Sequence, residues 1–213
     1  MIRLTRFAHA MAALAVVVSV SSASAQGSVA AGGDYAQRFA SECAACHGEG
    51  GKSEIPGTPH LAGQHSYYSV TQLFLFREGR RSNEAMTAVA KTMKDADLRG
   101  LSDFIGTLPP LPATPPPAPL DAERMKRAEV LAQQQKCLFC HGPDLRGGQQ
   151  VPRIAGQREE YLRESLDGYR TAKRVGYTPA MIDPVRPLSR EDVDDLAYFA
   201  ARLPGTDTVI RGK

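Results

Sequence analysis

Cys43-Ala-Ala-Cys46-His47 recurs as Cys137-Leu-Phe-Cys140-His141, and the two copies use all four cysteines of the chain. This five-residue pattern is an attachment site for haem. The two thiols add across the porphyrin vinyl groups as thioethers, and the adjacent histidine becomes a ligand to iron. Cys43, Cys46, Cys137 and Cys140 are therefore read as covalent attachments for two haem c groups, with His47 and His141 as axial ligands. A four-cysteine zinc site or a pair of disulfides is the competing reading. It gives the two histidines no role.

The repeat extends well beyond the cysteines. Pro59-His60-Leu61-Ala62-Gly63-Gln64 recurs as Pro152-Arg153-Ile154-Ala155-Gly156-Gln157. Tyr68 matches Tyr161, and Phe76-Arg77 matches Tyr169-Arg170. Between the copies, residues 109–119 carry seven prolines, which fit neither a helix nor a sheet and favour an extended polyproline II spacer. At about 3.1 Å per residue such a spacer reaches roughly 35 Å. The chain divides into a leader (1–25), a first domain (26–108), a Pro-rich linker (109–119) and a second domain with a short tail (120–213).

Comparing the copies selects the sixth iron ligands. Met181 is the only methionine after His141, 40 residues on, and Met86 lies 39 residues after His47. Met93 follows Met86 by seven residues, as Leu188 follows Met181, so Met93 matches a core leucine. Met86 and Met181 are the axial candidates. His/Met ligation favours Fe(II) and raises the reduction potential. Pro59 and Pro152 follow the attachment histidines by 12 and 11 residues, and their carbonyls are candidates to accept the N–H of the ligating imidazole. The alternative is a pair of turn prolines. His60 and His65 have arginines as counterparts and are expected at the surface or a haem edge. Arg80-Arg81 and Lys173-Arg174 precede the two methionines, either facing propionates or a partner, or ending solvated helices.

Each copy reads as helical, with no alternating strand pattern. Helices are expected over 35–43, 66–78, 122–136 and 158–169. Two further amphipathic helices begin at Asp95, as N-cap, and at a Ser189/Asp192 capping box. Cores this thin, with 7% aromatic residues and no tryptophan, need the porphyrin as apolar mass.

Arg3 and Arg6, an apolar run from Phe7 to Val20 and Ala23-Ser24-Ala25 form the pattern of a cleavable export signal ending at residue 25. Export places the protein in the periplasm, where thioether attachment of haem belongs. The formal charge of +3 falls to about +1 once Arg3 and Arg6 leave, which gives no support for a nucleic-acid partner.

The order Cys-x-x-Cys-His-Gly, Pro-x-Leu/Ile-Ala-Gly-Gln, Tyr, Arg, Met and an acid-capped helix, twice over, resembles the dihaem cytochromes c of the cytochrome c4 type. The resemblance implies an all-α fold of two tandem cytochrome c domains related by a pseudo-twofold. It also implies a periplasmic electron carrier, soluble or peripherally held at the membrane. Its partners would be redox proteins: an oxidase, a dehydrogenase or a cytochrome bc1-type donor. No catalytic residue is assigned, because two axial ligands per iron leave no open position. An electron-transfer subunit of a flavoprotein or dehydrogenase complex is the second reading. A dihaem enzyme is the third: a peroxidase needs a missing distal ligand, and a thiosulfate-oxidising centre a cysteine ligand that the chain does not have to spare.

Overall fold

A computed structural model describes residues 31–112, 119–174 and 179–205, so the leader and most of the Pro-rich linker lie outside the described residues. The described chain is helical, and its one β-type pairing is an isolated bridge between Gly148 and Val151. Among the described residues, five α-helices and a short 3-10 helix at Glu49–Gly51 make up the N-terminal half: α1 (Ala31–Glu42), α2 (Ala44–His47), α3 (Ser66–Arg77), α4 (Glu84–Lys91) and α5 (Asp95–Thr107). The C-terminal half repeats them as α6 (Ala122–Gln134), α7 (Cys137–His141), α8 (Glu159–Arg170), α9 (Pro179–Val185) and α10 (Arg190–Arg202). None of these helices is long and apolar enough to cross a membrane.

In each half the last helix packs across the first and third. Leu98, Leu101 and Ile105 line one face of α5, at the three- and four-residue spacing that a buried helical stripe requires, and meet Phe39, Leu73 and Met93. Val193, Leu196 and Ala200 repeat the stripe on α10 against Ala128, Ala132, Leu162 and Leu188. Ser189 caps α10 with a full capping box, its side chain accepting from Asp192 N–H and Asp192 accepting from Ser189 N–H at 2.8 Å. On α5 the cap sits one residue earlier than the sequence suggests. Lys94 takes the N-cap position, and Asp97 accepts its N–H at 2.8 Å, while Asp95 lies inside the first turn. A lysine side chain has no acceptor to offer there, so only half of the box forms.

The short helices α2, α4, α7 and α9 have too few residues for a periodic signal, yet they carry the motif residues. Asn83 caps α4 by accepting the Met86 N–H at 3.0 Å, and Pro179 opens α9, where a missing N–H costs nothing.

Candidate haem sites and the seam between the halves

The attachment motif folds as one helical turn. Cys43 O accepts from Cys46 N–H at 3.2 Å and His47 N–H at 2.9 Å, so the two thiols, three residues apart, share a face with the imidazole beside them. Both histidines are buried, at 6% exposure. His47 Nδ1 lies 2.9 Å from Pro59 O, and His141 Nδ1 lies 3.0 Å from Pro152 O. A carbonyl can only accept, so Nδ1 carries the proton in each ring, and Nε2 presents its lone pair. Burial pushes the pKa of both imidazoles below the ordinary range, which favours the neutral form that binds a metal. Burial also raises the thiols of Cys43, to about 11, and of Cys137.

The methionines separate into two kinds. Met93 is 4% exposed and sits in the core, as does its counterpart Leu188 at 5%. Met86 and Met181 are half-buried, each packed against the apolar cluster of its own half. In each half, then, the structure offers two thiols, one oriented imidazole and one thioether from a separate helix. Two thiols, an imidazole nitrogen and a thioether sulfur are the donor types that a covalently bound haem takes. Among the described residues no group of three or more His, Cys, Asp or Glu side chains converges as a zinc site would need.

The repeated Pro-x-x-Ala-Gly-Gln segment has a second task that its sequence does not disclose. Gly63 and Gly156 adopt φ of +65° and +68°, left-handed values that turn the following glutamine away from its own half. Gln157 Oε1 accepts the His60 N–H at 2.8 Å and its Nε2 donates to His60 O at 2.9 Å. Gln64 does the same to Arg153, at 2.9 Å and 2.9 Å. The contacts are reciprocal, as a twofold relation between the halves demands.

A second set of crossed contacts joins Arg81 Nη2 to Tyr161 Oη at 3.0 Å and Arg174 Nη2 to Tyr68 Oη at 3.3 Å. Removal from water opposes ionisation of Tyr161, but the Arg81 and Arg174 guanidiniums outweigh it and bring the phenol down to about 7. Two expectations change here. Arg81 and Arg174 lie in the seam rather than on a rim, leaving Arg80 and Lys173 exposed. His60 is buried rather than at the surface, its Nδ1 accepting Ser53 N–H at 3.0 Å, and His65 bonds Arg146 O across the seam at 2.8 Å. The missed signal was the repetition itself: polar residues kept in both copies, with no place in either core.

Two fused helical units, each holding its own donor set, define a dihaem c-type cytochrome. The chain matches the cytochrome c family over residues 35–109 and 125–203, and it belongs to that family. Cytochrome c4 from Thiocapsa roseopersicina is 36% identical over 143 residues, covering 62% of this chain and 71% of the relative. A thiosulfate dehydrogenase electron acceptor from Thiomonas intermedia (strain K12) is 32% identical over 145 residues, covering 64% of this chain and 66% of the relative. The crystal structure of reduced recombinant cytochrome c4 from Pseudomonas stutzeri superposes with a TM-score of 0.71 at 25% identity, covering 81% of this chain and 98% of that one. The chain is accordingly a carrier of two haem c groups that transfers electrons, and it is not itself an enzyme.

Proposed function

We propose that His47 with Met86 and His141 with Met181 ligate the two irons, and that the chain works in the periplasm after loss of residues 1–25. The observation that carries the ligand assignment is the pair of buried imidazoles whose Nδ1–H is fixed on a proline carbonyl. Each haem, when bound, supplies a one-electron iron couple. The protein's own part is to attach the group through two thiols, to hold the proximal ring in one orientation and to exclude water from it. The soft thioethers of Met86 and Met181 would favour the reduced metal once the group is held. Domain limits of 26–108 and 120–213, joined by 109–119, complete the proposal.

The acceptor side is a redox protein, a terminal oxidase in the reading the sequence favours. The relative named as a thiosulfate dehydrogenase electron acceptor supports a second reading, in which the donor is a dehydrogenase and the chain works as its electron-transfer partner. Stopped-flow mixing tests the carrier assignment. The reduced protein is expected to bind carbon monoxide slowly, because a methionine must leave first, and to exchange electrons quickly with such partners. Rapid turnover of peroxide or a sulfur compound by the isolated chain would falsify it. Copurification of a second polypeptide separates a complex subunit from a free carrier.

A further inference from the structure

The peptide unit between Pro59 and His60 is engaged at both ends. Its C=O accepts from His47 Nδ1–H at 2.9 Å, and its N–H donates to Gln157 Oε1, from the other half, at 2.8 Å. The peptide between Pro152 and Arg153 is engaged the same way, by His141 at 3.0 Å and by Gln64 at 2.9 Å. Both glutamines are 7% exposed. Each is also anchored from its own chain, Gln157 Oε1 by Arg158 N–H at 2.9 Å and Gln64 Oε1 by His65 N–H at 3.1 Å. Because each amide faces an N–H and a C=O of one residue, its oxygen and nitrogen are fixed without ambiguity.

We propose that Gln157 tunes the iron held by His47, and Gln64 the iron held by His141, so that each half sets the reduction potential of the other through one shared peptide. The inference rests on the two histidines being the proximal ligands. Hydrogen bonds in a chain polarise one another, by about 10–30% per bond in condensed phase. An acceptor on the peptide N–H makes the carbonyl a stronger base. A stronger carbonyl draws the Nδ1 proton harder and makes the imidazole a better donor to iron. Better donation stabilises Fe(III), so the clamp holds the potential of the opposite haem down. The assignment is crossed: the glutamine that acts on one iron belongs to the other domain.

The test is a redox titration of the full-length holoprotein, with each haem followed through its own paramagnetically shifted methyl signals in NMR. Gln157→Leu is expected to raise the potential of the N-terminal haem and leave the C-terminal one in place. Gln64→Leu is expected to do the converse. Gln157→Glu keeps an oxygen on the His60 N–H and adds charge, so it should lower the N-terminal potential. It also serves if the leucine variant fails to fold. A glutamine that merely closes the seam gives the opposite sign in the leucine variants, because water reaching the haem stabilises the ferric charge. A fall in potential there, no change, or a shift confined to the glutamine's own half overturns the proposal. Failure of the underlying ligation shows separately: His47→Ala would then leave the low-spin spectrum of the N-terminal haem intact.

Discussion

The two halves share a backbone plan but fasten their terminal helices by different chemistry. In the N-terminal half α1 crosses α5 at Gly100, where a Cβ would stand 2.0 Å from the Tyr35 ring, and Phe39 meets Phe104 with centroids 5.3 Å apart. In the C-terminal half the position of Gly100 is taken by Asp195, which is 8% exposed and accepts from Arg124 at 2.6 Å. Arg124 and Arg202 stack on Tyr198 at 4.1 and 3.3 Å. The same contrast recurs where α3 meets α5 and α8 meets α10. Gly106 admits Ser66 closely on one side, while Glu159–Arg202 at 2.7 Å and Arg163–Asp194 at 2.7 Å bind the other. Among the residues kept in both copies, Gln64 and Gln157, and Tyr68 and Tyr161, make bonds across the seam. The helix crossings were free to diverge, because any solution that buries the stripe suffices.

The sharpest way to break this comparison is at Gly100. Gly100→Ala should displace the Tyr35 ring and its 3.1 Å bond to Ala96 O, destabilising the N-terminal half by about 1–3 kcal/mol, the usual range for overpacking. Denaturant unfolding measures it, and an unchanged midpoint would remove Tyr35 from the account of that crossing. At the matching position Asp195→Ala strands Arg124 in a part-buried site. A loss of about 1.5–3 kcal/mol is expected there, as for hydrogen bonds to charged groups.

The seam comes next. Arg81→Ala removes the bonds to Gln72 at 2.7 Å and Tyr161 at 3.0 Å, together with the stacking on Phe76 at 4.4 Å. It should loosen the coupling between the halves by about 1–3 kcal/mol and split one unfolding transition into two by calorimetry. A single unchanged transition would mean that the remaining contacts, the glutamine clamps, Arg174–Tyr68 and His65–Arg146 among them, hold the seam without Arg81.

A smaller effect distinguishes the halves by pH. Burial, with Arg158 and Lys52 nearby, lowers His60 from its ordinary 6.5 to about 4. The folded chain then keeps His60 neutral while the unfolded chain protonates it, so stability falls as pH drops from about 6.5 towards 4 and levels off below. His60→Gln should flatten that slope. Arg153, its counterpart, keeps its charge throughout and gives the second half no such slope. Smallest of all is the surface term. With Arg81 and Arg174 in the seam, Arg80 and Lys173 are the members of the two basic pairs left exposed for steering. Arg80→Gln or Lys173→Gln should change the rate with an acidic partner by less than about tenfold, and the difference should vanish in high salt.

What the sequence disclosed follows from how locally each feature is encoded. The attachment motifs lie within five residues, and the stripes of α5 and α10 repeat at helical spacing, so both can be read from one chain. The proline carbonyls at 12 and 11 residues from the histidines were legible because two copies agreed. The seam left a trace only in the repetition of Gln64 as Gln157 and Tyr68 as Tyr161, and its pairings were not legible, since Gln157 meets His60 across 97 residues and Arg81 meets Tyr161 across 80. No local pattern distinguishes such a glutamine from a solvated one. The shift of the α5 cap to Lys94 was hidden for another reason: an acid in the first turn of a helix is favoured whether or not it is the cap.

The measurement that bears most directly on the central claim is the near-infrared absorption of the oxidised protein, where a methionine sulfur bound to ferric iron gives a weak band. The band should fall by half in Met86→Ala, by half in Met181→Ala, and not at all in Met93→Leu. Loss of intensity in Met93→Leu, or a full band surviving either alanine variant, would contradict the assignment of one His/Met pair to each half.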